Sequence, residues 1–275
     1  MHTIGISACS NGQPEENRSD NEKLVRFLEE TGHSVKISPW IYGKQGSFSA
    51  SGKQRAEALM DLFLNPDIEE IYDISGGDMA NEVLDFLNYE KIAASQAMFW
   101  GYSDITTVIN AIYAKTGKPG VLYSVRNLVH GEFQDLQRQR YLERESLFAP
   151  KFTMLQGKGM EGITVGGNIR CFLKLAGTEY FPDLTDKLLV LEARSGGLPQ
   201  MVTCLTQLKS LGAFQKVRGI LLGTFSQMER EQSRPEIFSL VREFAGDRIP
   251  IAKTEEIGHG PDSRAIHIGK PMKIS

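Results

Sequence analysis

Hydrophobic positions in the first half of the chain alternate between two rhythms, short β-competent runs and stretches with a helical period. Residues 4–8 read as a strand. Asp20 can cap a following helix whose apolar face, Leu24, Val25, Phe27 and Leu28, stops at Gly32. Residues 34–38 predict a second strand. Residues 54–64 then place Ala56, Leu59, Met60 and Phe63 at i, i+3, i+4 and i+7 before Pro66 ends the helix. The unit repeats: a strand over 68–74 runs into Ser75-Gly-Gly-Asp78, and a helix with Val83, Leu84, Phe86 and Leu87 follows. A strand over 97–100 then runs into Gly101-Tyr-Ser-Asp104 and a helix over 105–115 that Gly117 closes. Such alternation predicts an α/β domain, a mostly parallel sheet flanked by helices on both faces.

After Tyr123 the texture changes. Residues 127–148 predict one strongly polar helix, and residues 149–162, with Pro150 and glycines at 157, 159 and 162, read as loop. Strands then follow at 163–165, 188–192, 219–222, 249–252 and 265–268, with helices at 169–176, 198–211 and 235–244. The expected organisation is an N-terminal α/β domain over 1–126, a connecting segment over 127–162, and a C-terminal α+β domain over 163–275.

Composition narrows the function. At 275 residues and 41% hydrophobic, the chain can bury the core of one large domain or two modest ones. With 31 Lys and Arg against 34 Asp and Glu, a formal charge of −3 leaves no basic excess for tracking phosphates, so nucleic acid is not an expected partner. The apolar runs are far shorter than the roughly 20 residues of a membrane helix. Residues 1–8 have no basic stretch leading into a long apolar one, so neither a membrane nor secretion is expected. Three widely spaced cysteines, Cys9, Cys171 and Cys204, suit buried thiols in a reducing, cytoplasmic setting. With no HExxH and no histidine-carboxylate cluster at ligand spacing, no metal is expected.

The sharpest local feature is Trp100-Gly-Tyr-Ser-Asp104 between an apolar strand and a helix. A serine at that turn projects Oγ at the carboxyl edge of the sheet, and the next N–H lies at a helix N-terminus able to stabilise an oxyanion. Ser103 is therefore a candidate nucleophile; helix capping by Ser103 or Asp104 is the commoner use of those residues there. Gly76-Gly77 could bring N–H groups close to a substrate carbonyl or could simply make a tight turn. Gly157-Lys-Gly-Met-Glu-Gly162 spells G-x-G-x-x-G, but Ile163-Thr-Val165 favours a strand where a dinucleotide site, and a nucleotide-dependent oxidoreductase, would need a helix.

A nucleophilic serine needs a base. His2 and His33 lie beside early strands with no polar cluster around them in the sequence, His130 starts the polar helix, and His267 falls within an alternating strand. His259 differs, because Gly258, Gly260 and Pro261 shape a loop that presents its imidazole at a fixed place. Glu192, ending the buried run 188–191, suits the acid that orients such a base, or is an ordinary strand-end charge in water.

Across nearly the whole chain these residues resemble the LD-carboxypeptidase family, the S66 serine peptidases, which includes the microcin C self-immunity peptidases. The resemblance rests on Gly52-Lys-Gln-Arg-Ala56, Ile74-Ser-Gly-Gly-Asp78 with Asn81, Gly101-Tyr-Ser-Asp-Ile-Thr106 and Gly166-Gly-Asn168. It continues through Ala176-Gly-Thr-Glu-Tyr-Phe-Pro-Asp-Leu184, the run 188–192, Gly219-Ile-Leu-Leu-Gly223 and Ile257-Gly-His259. It implies a Ser103-His259-Glu192 triad, with the serine from the first domain and the other two from the second. It also implies an oxyanion hole from the backbone N–H groups of Gly77 and Asp104. The implied activity is release of a terminal D-amino acid from muropeptides, or cleavage of peptidyl or aminoacyl nucleotides, without metal or cofactor. Many members are dimers, so a homodimer is expected. Ser75 before the paired glycines and Asp78-Met79 after them look more like the microcin-immunity branch. The alternative is a ligand-binding protein that keeps the family cleft without catalysis.

Overall fold

The computed structural model describes residues 2–275. Strands β1 (Thr3–Ser7), β2 (Ser34–Ile37), β3 (Ile68–Asp73), β4 (Met98–Gly101) and β5 (Gly120–Leu122) alternate with helices α1 (Arg18–Glu30), α2 (Gly52–Phe63), α3 (Tyr89–Ala94) and α4 (Thr106–Thr116). The middle of the chain carries α5 (Gln134–Leu142), α6 (Arg144–Leu147) and β6 (Thr153–Gln156). The remainder runs β7 (Met160–Asn168), α7 (Ile169–Leu173), β8 (Lys187–Ala193), α8 (Leu198–Ser210), α9 (Ala213–Lys216) and β9 (Gly219–Phe225). It ends with α10 (Ser226–Arg230), α11 (Ile237–Ala245), β10 (Ile251–Lys253), β11 (Ile266–Ile268) and β12 (Pro271–Ile274).

Two six-stranded sheets result, ordered β11-β5-β4-β3-β1-β2 and β12-β7-β8-β9-β10-β6. In the first, β1 to β5 are all parallel and only β11 is antiparallel. In the second, β7 to β10 are parallel between antiparallel edges β12 and β6. The expected two-domain arrangement, with a mostly parallel N-terminal sheet, is thus the one found, and in the second domain, expected as α+β, the central strands β7 to β10 are parallel as well. Two strands lie across the expected boundaries: β6, within 127–162, edges the second sheet, and β11, within 163–275, returns to pair with β5 of the first.

The two domains share a core. Alternate residues of β8 point to opposite faces, so Leu188 and Val190 join the cluster around α2 and α4, while Leu189 and Leu191 join that under α7, α8 and α11. A strand buried on both faces must be apolar at every position, which is why 188–191 is a continuous run. A third cluster, with Ile4, Ile6 and Trp100, fills the other face of the first sheet beneath α1 and α5.

Several local expectations are corrected. Helix α1 begins two residues before Asp20, which lies in its first turn, and Asn17 takes the cap position. The segment with Val83 and Leu84 is a 3-10 helix, Ala80–Phe86, and its tighter turn leaves Phe86 half exposed. The polar helix over 127–148 is broken into α5 and α6, and the loop over 149–162 contains β6 and the start of β7. In contrast, Gly117 closes α4 in the left-handed conformation at φ 71°.

Candidate active site

The first sheet reverses its strand order between β1 and β3, and ligands of open α/β sheets bind outside the carboxyl ends of strands at such a place. The loops after β1, β3 and β4 meet there. Asp73, at the end of β3, ties two of them together: its carboxylate accepts from Ser7 Oγ at 2.9 Å, Cys9 N at 2.7 Å, and Ser75 N and Oγ at 2.9 and 2.5 Å. Fully buried Arg55 of α2 donates to the carbonyls of Cys9 and Ser10 and pairs with Glu82.

Ser103 follows β4 and has φ 55°, a conformation that a non-glycine residue rarely holds. Its Cβ would lie 3.9 Å from a Cβ built on Gly76, so the paired glycines pass directly beside it. Gly77 has φ 118°, and a Cβ there would fall 2.2 Å from the Asn11 side chain; only glycine fits. Neither Ser103 nor Asp104 acts as a cap: Tyr102 and Ile105 occupy the cap positions of the 3-10 turn and of α4, without side-chain bonds. The Asp104 carboxylate is fully buried and accepts from Ser10 Oγ at 2.7 Å, Ala80 N at 2.9 Å and Lys174 Nζ at 2.5 Å.

Helix α4 carries this turn against the second domain. Asn110 brackets Gly166, accepting from its N–H at 2.8 Å and donating to its carbonyl at 2.9 Å, and Thr106 Oγ1 accepts from Asn168 N at 3.1 Å. Gly166 and Gly167 stand at φ 100° and 132°, and a side chain on Gly167 would strike Leu122 and Thr106. The two glycines thus let β7 approach within three residues of Ser103 in sequence.

Asn168 ends β7 in register with Glu192 on β8. Glu192 is 1% exposed, which removes the reading of a strand-end charge in water. Its Oε1 accepts from Asn168 Nδ2 at 2.9 Å, and Oε2 lies 2.8 Å from His259 Nδ1. A carboxylate only accepts, so the network assigns the proton to Nδ1 and leaves the Nε2 lone pair free. That Nε2 is buried and has no partner among the described residues. Tyr102 packs edge-on against the imidazole, with ring centroids 5.0 Å apart, and burial followed by the Glu192 charge pushes its phenol well above its usual range.

The loop bearing His259 is held from two sides. A Cβ on Gly258 would overlap Thr224 Oγ1 at 1.8 Å, and Thr224 N donates to the Ile257 carbonyl at 2.8 Å. From the other side, buried Gln137 of α5 donates to the carbonyls of Pro261 and Ser263, both at 2.8 Å, and Arg140 donates to that of Asp262 at 2.6 Å. The polar helix is therefore polar partly because it grips this loop.

Ser103, His259 and Gly77 line one cavity of about 970 Å³, and Glu192 stands behind His259. Of the other histidines, exposed His130 reaches the cavity rim and lies 3.3 Å from Asp20. His2 faces Glu69 and Glu70 and stacks near His33, so it has the polar neighbours that the sequence hides. His267 stacks on Phe148 in β11. Cys9 and Cys171 are buried and burial pushes both thiols up, while Cys204 is half-buried; all three are free. The G-x-G-x-x-G segment leads into β7, not a helix. Local patterning carries no signal for Asn168, Asn11, Arg55, Lys174 or Gln137, although Arg55 and Asn168 fall within the family-like motifs.

The protein is a serine peptidase. It belongs to the LD-carboxypeptidase family: residues 4–124 match that family's N-terminal domain and residues 161–274 its C-terminal domain. It is similar to the microcin C7 self-immunity protein MccF of Escherichia coli, 24% identical across 91% of this chain and 83% of that one. It is similar also to a probable murein peptide carboxypeptidase of Bacillus subtilis, 27% identical across 97% of this chain and 86% of that one. The structure of MccF in complex with glutamyl sulfamoyl guanosine shares the fold over 100% of this chain and 93% of that chain, with a TM-score of 0.87 at 22% identity.

Proposed function

We propose that Ser103, His259 and Glu192 form a catalytic triad that hydrolyses an amide bond, with the backbone N–H groups of Gly77 and Asp104 as the oxyanion hole. The observation that carries this reading is the His259 imidazole, bonded through Nδ1 to buried Glu192 at 2.8 Å while Nε2 has no partner in the site it shares with Ser103. Ser103 Oγ attacks the carbonyl carbon as its proton passes to Nε2. The resulting oxyanion takes hydrogen bonds from the two N–H groups. His259 then gives the proton to the leaving amine; water, deprotonated by the same nitrogen, attacks the acyl group, and His259 returns that proton to Ser103 Oγ as the acyl–Oγ bond breaks. Glu192 fixes the tautomer and stabilises the imidazolium without itself taking the proton.

The substrate falls in one of two classes. One is a muropeptide that loses a terminal D-amino acid, in keeping with the murein peptide carboxypeptidase among the relatives; the other is a peptidyl or aminoacyl nucleotide, in keeping with MccF. Mass spectrometry of an L,D-tetrapeptide muropeptide and a peptidyl nucleotide, each incubated with wild type and Ser103→Ala, separates them. Release of D-alanine by wild type alone assigns the first class, and release of the nucleotide moiety the second. Substitution of Ser103 or His259 by alanine should cost turnover on the order of 10⁶-fold. Near-normal turnover in either variant would overturn the triad, and an inert wild type that still binds would favour the ligand-binding alternative.

A further inference from the structure

The cavity beside Ser103 has a charge pattern that the triad does not use. Among its described lining residues are two arginines, Arg126 and Arg194, and no aspartate or glutamate, although the chain as a whole carries a formal charge of −3. Neither guanidinium takes part in an ion pair or donates a side-chain hydrogen bond among the described residues, whereas eight other arginines are bonded to carboxylates. The Arg126 Nε is buried and unpartnered. Val125 and Leu128, both buried, fix the 3-10 turn that carries Arg126, and Arg194 follows β8 two residues after Glu192. The two side chains thus reach one cavity from different domains.

The Asp20 carboxylate acts on Arg126 through its charge, but its oxygens are taken by Lys23 at 2.8 Å and His130 at 3.3 Å. Burial holds the Arg126 guanidinium below its ordinary range, Asp20 partly offsets this, and Arg194 depresses it further. Two guanidinium groups without ion-pair partners in one cleft repel each other. An oxyanion between them would remove that repulsion and satisfy donors in the forked geometry that carboxylates and phosphates match.

We propose that Arg126 and Arg194 bind an oxyanion carried by the substrate beside the scissile amide, so that the enzyme selects substrates with a free terminal carboxylate or a phosphoryl group over neutral analogues. This rests on the hydrolase reading above for its place in catalysis, but the anion site can be tested without turnover.

In the Ser103→Ala protein, binding is measured by calorimetry for two matched pairs, an L,D-tetrapeptide and its C-terminal amide, and adenosine monophosphate and adenosine. The charged member of one pair should bind about 10- to 100-fold tighter, as expected for hydrogen bonds to charged groups. Which pair discriminates identifies the source of the oxyanion. Adding Arg126→Gln and Arg194→Gln should erase that preference, and Arg126→Lys, which keeps the charge and loses the fork, should restore part of it. In the enzyme with Ser103 intact, each glutamine variant should raise KM about tenfold or more with kcat little changed, as for an interaction made equally in ground and transition states. Preference without turnover leaves the anion site standing and defeats the hydrolase reading. If neither charged member binds better than its neutral partner, undetectable binding of all four included, or if the preference survives both substitutions, the anion site is overturned whatever the turnover.

Discussion

Lys174 reaches from the end of α7, in the second domain, to place its ammonium 2.5 Å from the buried carboxylate of Asp104, the residue that follows Ser103. It also donates to the Asp78 carbonyl at 2.7 Å, while Arg170, one turn earlier, pairs with the Asp78 carboxylate and reaches the Gly77 carbonyl at 3.2 Å. Both segments proposed as the oxyanion hole are therefore fastened to the opposite domain. Removing one partner of a buried pair leaves the other charge uncompensated. Lys174→Met should destabilise the protein by about 3 kcal/mol, within the range for broken buried pairs. Urea denaturation measures this, and kcat should fall more than KM rises if the turn after Ser103 shifts. Unchanged stability would mean that Ser10 and Ala80 alone satisfy Asp104.

Asn168 supplies a second test of how Glu192 is held. Its amide donates to Glu192 Oε1, and its carbonyl oxygen accepts from Cys171 N at 3.3 Å as the cap of α7. Asn168→Asp keeps the cap but sets a second carboxylate against Glu192. Like charges at that distance cannot both ionise freely, so one carboxyl holds a proton to higher pH. The acid limb of the kcat/KM profile should move upward in pH while the far-ultraviolet dichroism is unchanged. An unmoved profile would place the Asn168–Glu192 bond outside catalysis.

How far the site could be read beforehand depended on whether its cause was local. Glu192 was legible because a strand buried on both faces shows as an unbroken apolar run, and the carboxylate interrupts it. His259 was legible because Gly258 must lack a side chain against Thr224, a steric requirement written into one position. Lys174 was not, since its partner is 70 positions away and nothing near either residue signals the pairing. Nor was β11: a three-residue strand that leaves the second domain to edge the first sheet has no periodic signal distinguishing which sheet it joins. The grip of α5 was hidden for a different reason, because a polar helix facing loop carbonyls has the same composition as one facing water.

Stability should also carry a pH signature separate from catalysis. Burial, with a smaller contribution from Lys270, lowers the imidazole of His267 to about 4. In the unfolded chain it titrates near 6.5. Above that pH the ring is neutral in both states and contributes nothing to the pH dependence. As pH falls from about 6.5 to about 4 the unfolded state takes up a proton that the folded state refuses, so stability declines through this window and levels off below it. His33, also lowered by burial, acts with the same sign. His267→Phe should flatten part of the decline, seen as a smaller change in urea midpoint between pH 7 and pH 4.5. An identical pH dependence in the variant would show that the ring takes up its proton equally in the folded and unfolded states.

Gln137 offers the sharpest separation of structure from chemistry, because it touches neither the triad nor the cavity. Its amide nitrogen donates to the carbonyls of Pro261 and Ser263, and its oxygen accepts from Tyr123 at 2.9 Å; the bonds to Ser263 and Tyr123 are buried and that to Pro261 is partly buried. Gln137→Leu keeps the volume approximately and removes every one of them. Each buried group left unsatisfied costs about 1–3 kcal/mol. The stranded carbonyls lie two and four residues beyond His259, so the loop is expected to loosen before the domain unfolds. Hydrogen exchange should quicken over residues 258–263 while β8 stays protected, and kcat should fall about tenfold or more as the imidazole loses its fixed position. Gln137→Glu keeps acceptors but turns the two donors toward the carbonyls into a repelling oxygen, and should be worse than leucine. If exchange in the loop is unaltered in both variants, Thr224 and Arg140 suffice to hold His259 in place.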